Sequence, residues 1–179
     1  MSNDLWRTPN EIFNTLDKEF NFFADMAADH ENSKCKLFFN EADDSLSFDW
    51  SYRINAQYPA NLNKYVWLNP PYSNPMPWIK QAAQAQLDGL GVVMLLNNDM
   101  SVGWFAEALK TVSEIRCLIS DCAPKTKRGY TSGRVGFLNA NNDSVLLNNK
   151  PQFVLVFNPF KIGARVTSYI TKKQLYGQA

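Results

Sequence analysis

Two consecutive prolines close an apolar run in the middle of the chain, Val66-Trp67-Leu68-Asn69-Pro70-Pro71-Tyr72. Val66, Trp67 and Leu68 read as a short buried strand. The prolines lack amide hydrogens and have a fixed φ, so neither a sheet ladder nor a helical turn can continue through them. The chain therefore leaves the strand at Asn69 stiff and extended. That geometry holds the Asn69 side-chain carbonyl, the Pro70 backbone carbonyl and the Tyr72 ring in one arc. Two acceptors beside a π face suit a planar NH2 group. The nitrogen of such a group is a poor nucleophile because its lone pair is delocalised. Acceptors that hold both hydrogens favour a more pyramidal nitrogen and stabilise the positive charge that grows as it attacks. The stretch reads as a site at which an amino group is methylated.

The segments before it supply a helix and two strands. Trp6-Arg7-Thr8-Pro9 precedes the helical spacing Ile12, Phe13, Leu16, Phe20, with Thr8 as expected N-cap, Pro9 at the first helical position and Glu11 at the third. Residues 21–28 form an apolar strand ending in Asp25 and small residues. In open α/β sheets ligands sit outside the carboxyl ends of strands, so Asp25 is placed to meet a cation, although an aspartate there serves equally as a turn residue. Residues 34–39 predict a second strand, followed by Glu41, Asp43, Asp44 and Asp49. Residues 51–64 are turn-rich and read as an excursion.

Beyond Tyr72 the pattern is a helix over about 78–87 closed near Gly89, a buried strand at 91–97, a helix over 103–111 and a strand at 114–120. This alternation predicts an α/β fold with a doubly wound, mostly parallel sheet. Asn97, Asn98 and Asp99 end their strand at the same sheet edge as Asn69. Residues 134–139 and 152–158 are expected to finish the sheet as an antiparallel pair, with a polar tail from 161.

With 18 Lys and Arg against 17 Asp and Glu, no global basic field exists, and any nucleic-acid surface must be a local patch. Residues 124–134 offer one, with Lys125, Lys127, Arg128 and Arg134 around Tyr130, although such a run also suits a solvated loop. Cys35, Cys117 and Cys122 form no C-x-x-C pair, and His30 is the one histidine, so neither a disulfide framework nor a metal site is expected. No apolar run has the length to cross a bilayer and no signal pattern opens the chain. A soluble, cytoplasmic protein of one domain over residues 1–179 is expected, with no membrane partner; its oligomeric state is left open.

Asn69-Pro70-Pro71-Tyr72 resembles the (D/N)PPY signature of S-adenosylmethionine-dependent amino-methyltransferases. The wider chain resembles the small phage-type, Dam-like DNA N6-adenine methyltransferases in residues 6–9 (WRTP), 25–28 (DMAA), 46–50 (LSFDW), 71–73 (PYS), 78–80 (WIK) and 133–137 (GRVGF). The resemblance implies a Rossmann-like methyltransferase fold, S-adenosyl-L-methionine as cofactor and double-stranded DNA as partner. It assigns catalysis to Asn69, Pro70, Pro71 and Tyr72, with the adenine flipped out of the duplex onto Tyr72. Cofactor binding falls to Trp6, Thr8, Pro9, Asp25, Ala27 and Asn69, and to Asp49 for the ribose hydroxyls; DNA binding falls to Lys125, Lys127, Arg128, Tyr130 and Arg134. The chain departs from the commonest methyltransferase pattern in having no G-x-G loop after its first strand. The same tetrapeptide occurs in enzymes that methylate RNA bases or a protein glutamine amide, and a methyltransferase-like fold can also persist as a binding protein without turnover. No long insertion provides a separate recognition domain, so a short DNA target read by loops 51–64 and 122–134 is expected.

Overall fold

A computed structural model describes residues 3–59, 63–122, 132–145 and 148–178. Helix α1 (Asn10–Phe20) leads into β1 (Phe22–Asp25), and α2 (Trp50–Asn55) into β2 (Tyr65–Leu68). Then come α3 (Met76–Leu87), β3 (Gly91–Asn97), α4 (Gly103–Ala108), β4 (Glu114–Ile119), β5 (Gln152–Phe157), β6 (Val166–Thr171) and α5 (Lys172–Leu175). The six strands form one sheet in the order β1-β2-β3-β5-β4-β6. β1, β2 and β3 are mutually parallel, β4 is parallel to β6, and β5 runs antiparallel to both β3 and β4.

Alternation along the central strands divides the core between two faces. Val66, Leu68, Val92, Met94 and Leu96 pack with Ile54 of α2, Ile79 and Ala82 of α3, and Phe105 and Ala108 of α4. Trp67, Val93 and Leu95 point the other way, onto Ile12, Phe13 and Leu16 of α1 and Leu175 of α5. Both faces are covered, which is why β3 and β5 are continuous apolar runs rather than alternating ones. Helices α3 and α4, which link β2 to β3 and β3 to β4, lie on the same face.

Several expectations are corrected. The strand expected at 34–39 is reduced to one parallel bridge between Asp25 and Phe38, because Asn40 turns the chain away by accepting from the amides of Ala42 and Asp43. Thr8 does not cap α1. Pro9 takes that position with φ −55° and ψ 142°, and no side chain caps the helix. The turn-rich stretch after Asp49 contains α2, and the tail contains β6 and α5.

The antiparallel partner expected at 134–139 is not a strand; Leu138 alone makes bridges, to Arg7 and Ser144. Side chains have taken its ladder donors: the Val135 amide donates to Gln152 Oε1 at 2.9 Å and the Gly136 amide to the Tyr176 hydroxyl at 3.0 Å. Gly133 brings this segment against the end of β4, where a Cβ would meet the Ile119 carbonyl.

One buried side chain ties the helical layer to the sheet. Gln86, fully buried near the end of α3, donates through Nε2 to Thr111 O (3.1 Å), Ser113 Oγ (3.0 Å) and Asn158 O (3.0 Å). Gln86→Ala strands those acceptors and opens a cavity, for an expected loss of about 2–4 kcal/mol in urea denaturation. A loss within about 0.5 kcal/mol, the usual range for an inert surface substitution, would contradict this account.

Candidate active site

At the carboxyl end of β1 the sheet divides. Residues 37–39 lie on one side of Asp25 and β2 on the other: the Asp25 amide donates to Leu37 O and the Met26 amide to Trp67 O, both at 3.0 Å. Such divergence opens a crevice outside the strand ends. A cleft of about 610 Å³ occupies it, within the size range of small-molecule sites. Its walls come from the loop after β1, from residues 4–8, from the short turns at 40–46 and from Asn69, Pro71 and Trp78.

Asp25 braces the loop beneath this cleft. It is 2% exposed, and its two oxygens accept separately from the amides of Ala27 (3.3 Å) and Lys34 (3.1 Å). Burial pushes its carboxyl up to about 6, against the opposing pull of those two amides. Lys34, also in the wall, donates to Asn10 Oδ1 at 2.6 Å, and burial lowers its ammonium pKa. Thr8 is buried in the wall, and its Oγ1 has no hydrogen-bond partner among the described residues. A buried hydroxyl left unpaired is costly, so this part of the wall is a place where a polar ligand group could be held.

Sequence reasoning passed over Arg7, although it lies within the motif at 6–9. Its guanidinium, 8% exposed, meets Glu31 at 2.9 Å, Asp29 at 4.0 Å and the Ala140 carbonyl at 2.9 Å. Glu41 and Asp44 line the cleft, whereas Asp49 is exposed and accepts from Tyr52 N at 2.9 Å as the N-cap of α2. The local 3-10 turns at 41–43 and 45–47 decide which acid faces inward, and spacing does not disclose them. The segment at 46–50 works as an anchor: the Trp50 indole donates to Ser45 O at 2.6 Å and Ser45 Oγ to Met26 O at 2.7 Å, which fixes Leu46 in the cleft wall.

Asn69 follows β2 directly and borders the same cleft. Its Oδ1 accepts from the Tyr72 hydroxyl at 3.0 Å, and its Nδ2 donates to Trp6 O at 3.4 Å. The amide is thereby oriented by a hydroxyl donor on one side and a carbonyl on the other. Pro70 is buried, and its carbonyl accepts no hydrogen bond from a described residue. The Tyr72 ring stands edge-on to Phe137, with centroids 5.9 Å apart, and Phe137 lies 5.6 Å from Trp6. Burial raises the Tyr72 phenol far above its ordinary value, so it remains a neutral donor. Asp4 accepts from the Ser73 amide at 2.9 Å, so residues 4–6 grip the proline loop at two points.

Of the residues singled out for a cofactor, the structure gathers Trp6, Thr8, Asp25, Ala27 and Asn69 around one cleft. Pro9 is buried beside it as the cap of α1, outside its lining, and Asp49 is elsewhere. Lys125, Lys127, Arg128 and Tyr130 lie outside the described residues. Arg134 is exposed. Among the described residues no three His, Cys, Asp or Glu side chains converge as a metal site. A second cavity, of about 160 Å³, borders Tyr72 at the end of β3.

A family model described as DNA N-6-adenine-methyltransferase (Dam) matches residues 1–179. A DNA N-6-adenine-methyltransferase of Haemophilus phage HP1 is 33% identical over 177 residues, covering 96% of this chain and 89% of that protein. Another, from Escherichia phage T1, is 31% identical over 172 residues, covering 93% of this chain and 68% of that protein. Similarity of that extent, carried through both walls of the cleft and the proline loop between them, places the chain in the DNA N-6-adenine-methyltransferase (Dam) family.

Proposed function

We propose that this protein is a single methyltransferase domain that transfers a methyl group from S-adenosyl-L-methionine to the exocyclic N6 of adenine in double-stranded DNA, in the cytoplasm of a bacterial host. The observation that carries the reading is the junction of Asn69 with the cleft: an oriented amide acceptor, an unpartnered Pro70 carbonyl and an aromatic ring stand beside a cavity of cofactor size. The helices on both faces agree with a doubly wound methyltransferase sheet. Among the described residues no helix is long and apolar enough to cross a membrane.

The cleft residues fit the cofactor. Thr8 Oγ1 supplies an unused polar atom, Asp25 a carboxylate for the ammonium group, and Trp6, Phe39, Leu46 and Trp78 apolar surface for a heterocycle. Glu41 and Asp44 take the ribose role first given to Asp49, since they face the cleft. S-adenosyl-L-methionine, when bound, supplies a methyl group already activated by the sulfonium, so the protein's task is positioning and charge stabilisation. Asn69 Oδ1 has a second lone pair beyond the one engaged by Tyr72, and the Pro70 carbonyl has no hydrogen-bond partner among the described residues. Together they accept the two N6 hydrogens while the Tyr72 ring packs against the base. With the cofactor bound, the N6–methyl bond would form as the methyl–sulfonium bond breaks and a neutral thioether leaves; the positive charge passed to N6 would lie between these acceptors until one proton went to water. Lys125, Lys127, Arg128, Tyr130 and Arg134 are assigned to the DNA backbone, which makes binding weaken with salt.

Asn69→Ala is expected to keep S-adenosyl-L-methionine affinity within about threefold in calorimetry while kcat on DNA falls by on the order of 3 kcal/mol, roughly a hundredfold. Undiminished methylation by this variant would remove the assignment. Tritium transfer from labelled cofactor to duplex DNA, RNA and protein extracts checks the acceptor: label is expected in the DNA, and label confined to protein would overturn that choice.

Asp25 gives a pH dependence. Its raised pKa means that the unliganded protein holds a proton there below about 6, and the neutral acid cannot pair with an ammonium. S-adenosyl-L-methionine affinity should therefore be level above about pH 7 and fall toward tenfold per pH unit below the Asp25 pKa. Near pH 6, binding should release a proton, visible as a buffer-dependent heat. Affinity flat from pH 7.5 to 5 would exclude Asp25 as the ammonium's partner.

A further inference from the structure

The small cavity bordering Tyr72 has a construction that the transfer reaction described above does not use. It is lined by Tyr72, Pro75, Leu96, Asn97, Asp99, Trp104 and Lys150. The large cleft touches Asn69, this cavity touches Tyr72, and the two side chains are hydrogen-bonded to each other. The Asn69–Tyr72 pair thus stands between the two spaces. A methyl donor in one and an acceptor in the other would meet there.

Its polar floor is set by a chain of hydrogen bonds with only one consistent direction. The Val135 amide is a donor, so the Gln152 atom it meets at 2.9 Å is the carbonyl Oε1. The other end of the fully buried Gln152 is therefore Nε2, which donates to Lys150 O at 2.7 Å and to the Asn97 side chain at 3.3 Å. Asn97 must offer Oδ1 to it. Asn97 Nδ2 is then left as a donor at the cavity, with no hydrogen-bond partner among the described residues. Trp104, half-buried at the start of α4, borders the cavity together with Tyr72. A mainly polar cavity bordered by two aromatic residues and a fixed donor suits a flat heterocycle carrying a ring-nitrogen acceptor.

We infer that this cavity receives the ring system of the acceptor base, with Trp104 packing against the ring and Asn97 Nδ2 donating to a ring nitrogen beside the exocyclic amine. The inference rests on the amino-methyl-transfer reading and adds two positioning residues to it. Adenine presents such nitrogens on either side of its amine. Lys150, exposed on the rim, is available to the phosphate of the extruded nucleotide.

The test uses the full chain, unmethylated genomic DNA and tritiated S-adenosyl-L-methionine. Wild-type protein must first label the DNA as N6-methyladenine; failure there removes the functional reading itself. Given that activity, Asn97→Asp is the decisive variant, because the new carboxylate still accepts from Gln152 while the donor becomes an acceptor. We expect its kcat/KM for DNA to fall roughly tenfold or more, with the dissociation constant for S-adenosyl-L-methionine within about twofold of wild type. Trp104→Ala should lose roughly tenfold in the same parameter, and Trp104→Phe, which restores a π face, at least about threefold less. Wild-type kcat/KM in Asn97→Asp would overturn the inference while leaving the function standing. So would an equal weakening of cofactor binding, which would place these residues in the fold or the cleft rather than at the base.

Discussion

Everything at the sheet edge that carries Asn69 depends on where β2 is forced to stop. Leu68 is still locked in register with Met94 of β3, and two residues later the chain has no amide to give. The ladder cannot extend, so the Asn69 side chain and the Pro70 carbonyl are left at the strand end with their hydrogen-bonding capacity unspent by secondary structure. The stop falls beside the divergence at β1, where an α/β sheet opens a crevice. A cavity and a pair of oriented oxygens thus share one edge for two separate reasons, sheet topology and proline chemistry.

The loop that leaves β2 is held from outside. Asp4 fixes Ser73, Trp6 fixes the Asn69 amide, and the rings of Trp6, Phe137 and Tyr72 form a continuous row. Three segments far apart in sequence therefore meet at one position. The same N-terminal residues form a wall of the cleft, so the proline loop and the cleft share a structural support. This shared support explains why Phe137 is fully buried although its neighbours lie in no strand. Its segment is fastened by Gln152 and Tyr176 rather than by a ladder.

Polar groups in the interior serve the site as much as the fold. Gln152 is buried in the middle of the sheet, where a hydrophobic residue would satisfy the packing. In return it fixes Val135, Lys150 and Asn97, each from a different segment. A buried network of this kind is favourable only when each member finds its partner, and it then leaves its outermost atoms in defined roles. Asp25 shows the opposite balance. Its burial raises its pKa, and two backbone amides only partly offset that cost.

Residue order alone determined the strand ending at Asn69, the buried strand at 91–97, the helix before Phe22 and the proline-fixed acceptors. These follow from local sterics and periodicity, which neighbouring residues carry within themselves. Side-chain competition for backbone donors is a property of contacts between distant segments. It decided that 134–139 would not be a strand and that β5 would instead pair with both β3 and β4, whereas the local turns at 41–43 and 45–47 and the capping of α2 by Asp49 decided which acids face the cleft. Tertiary packing also left the Thr8 hydroxyl, read from spacing as a cap, buried at the cleft wall with no partner among the described residues. A chain's own spacing states which groups are present and how stiffly each is held; only the folded contacts state which of their lone pairs and hydrogens remain unspent.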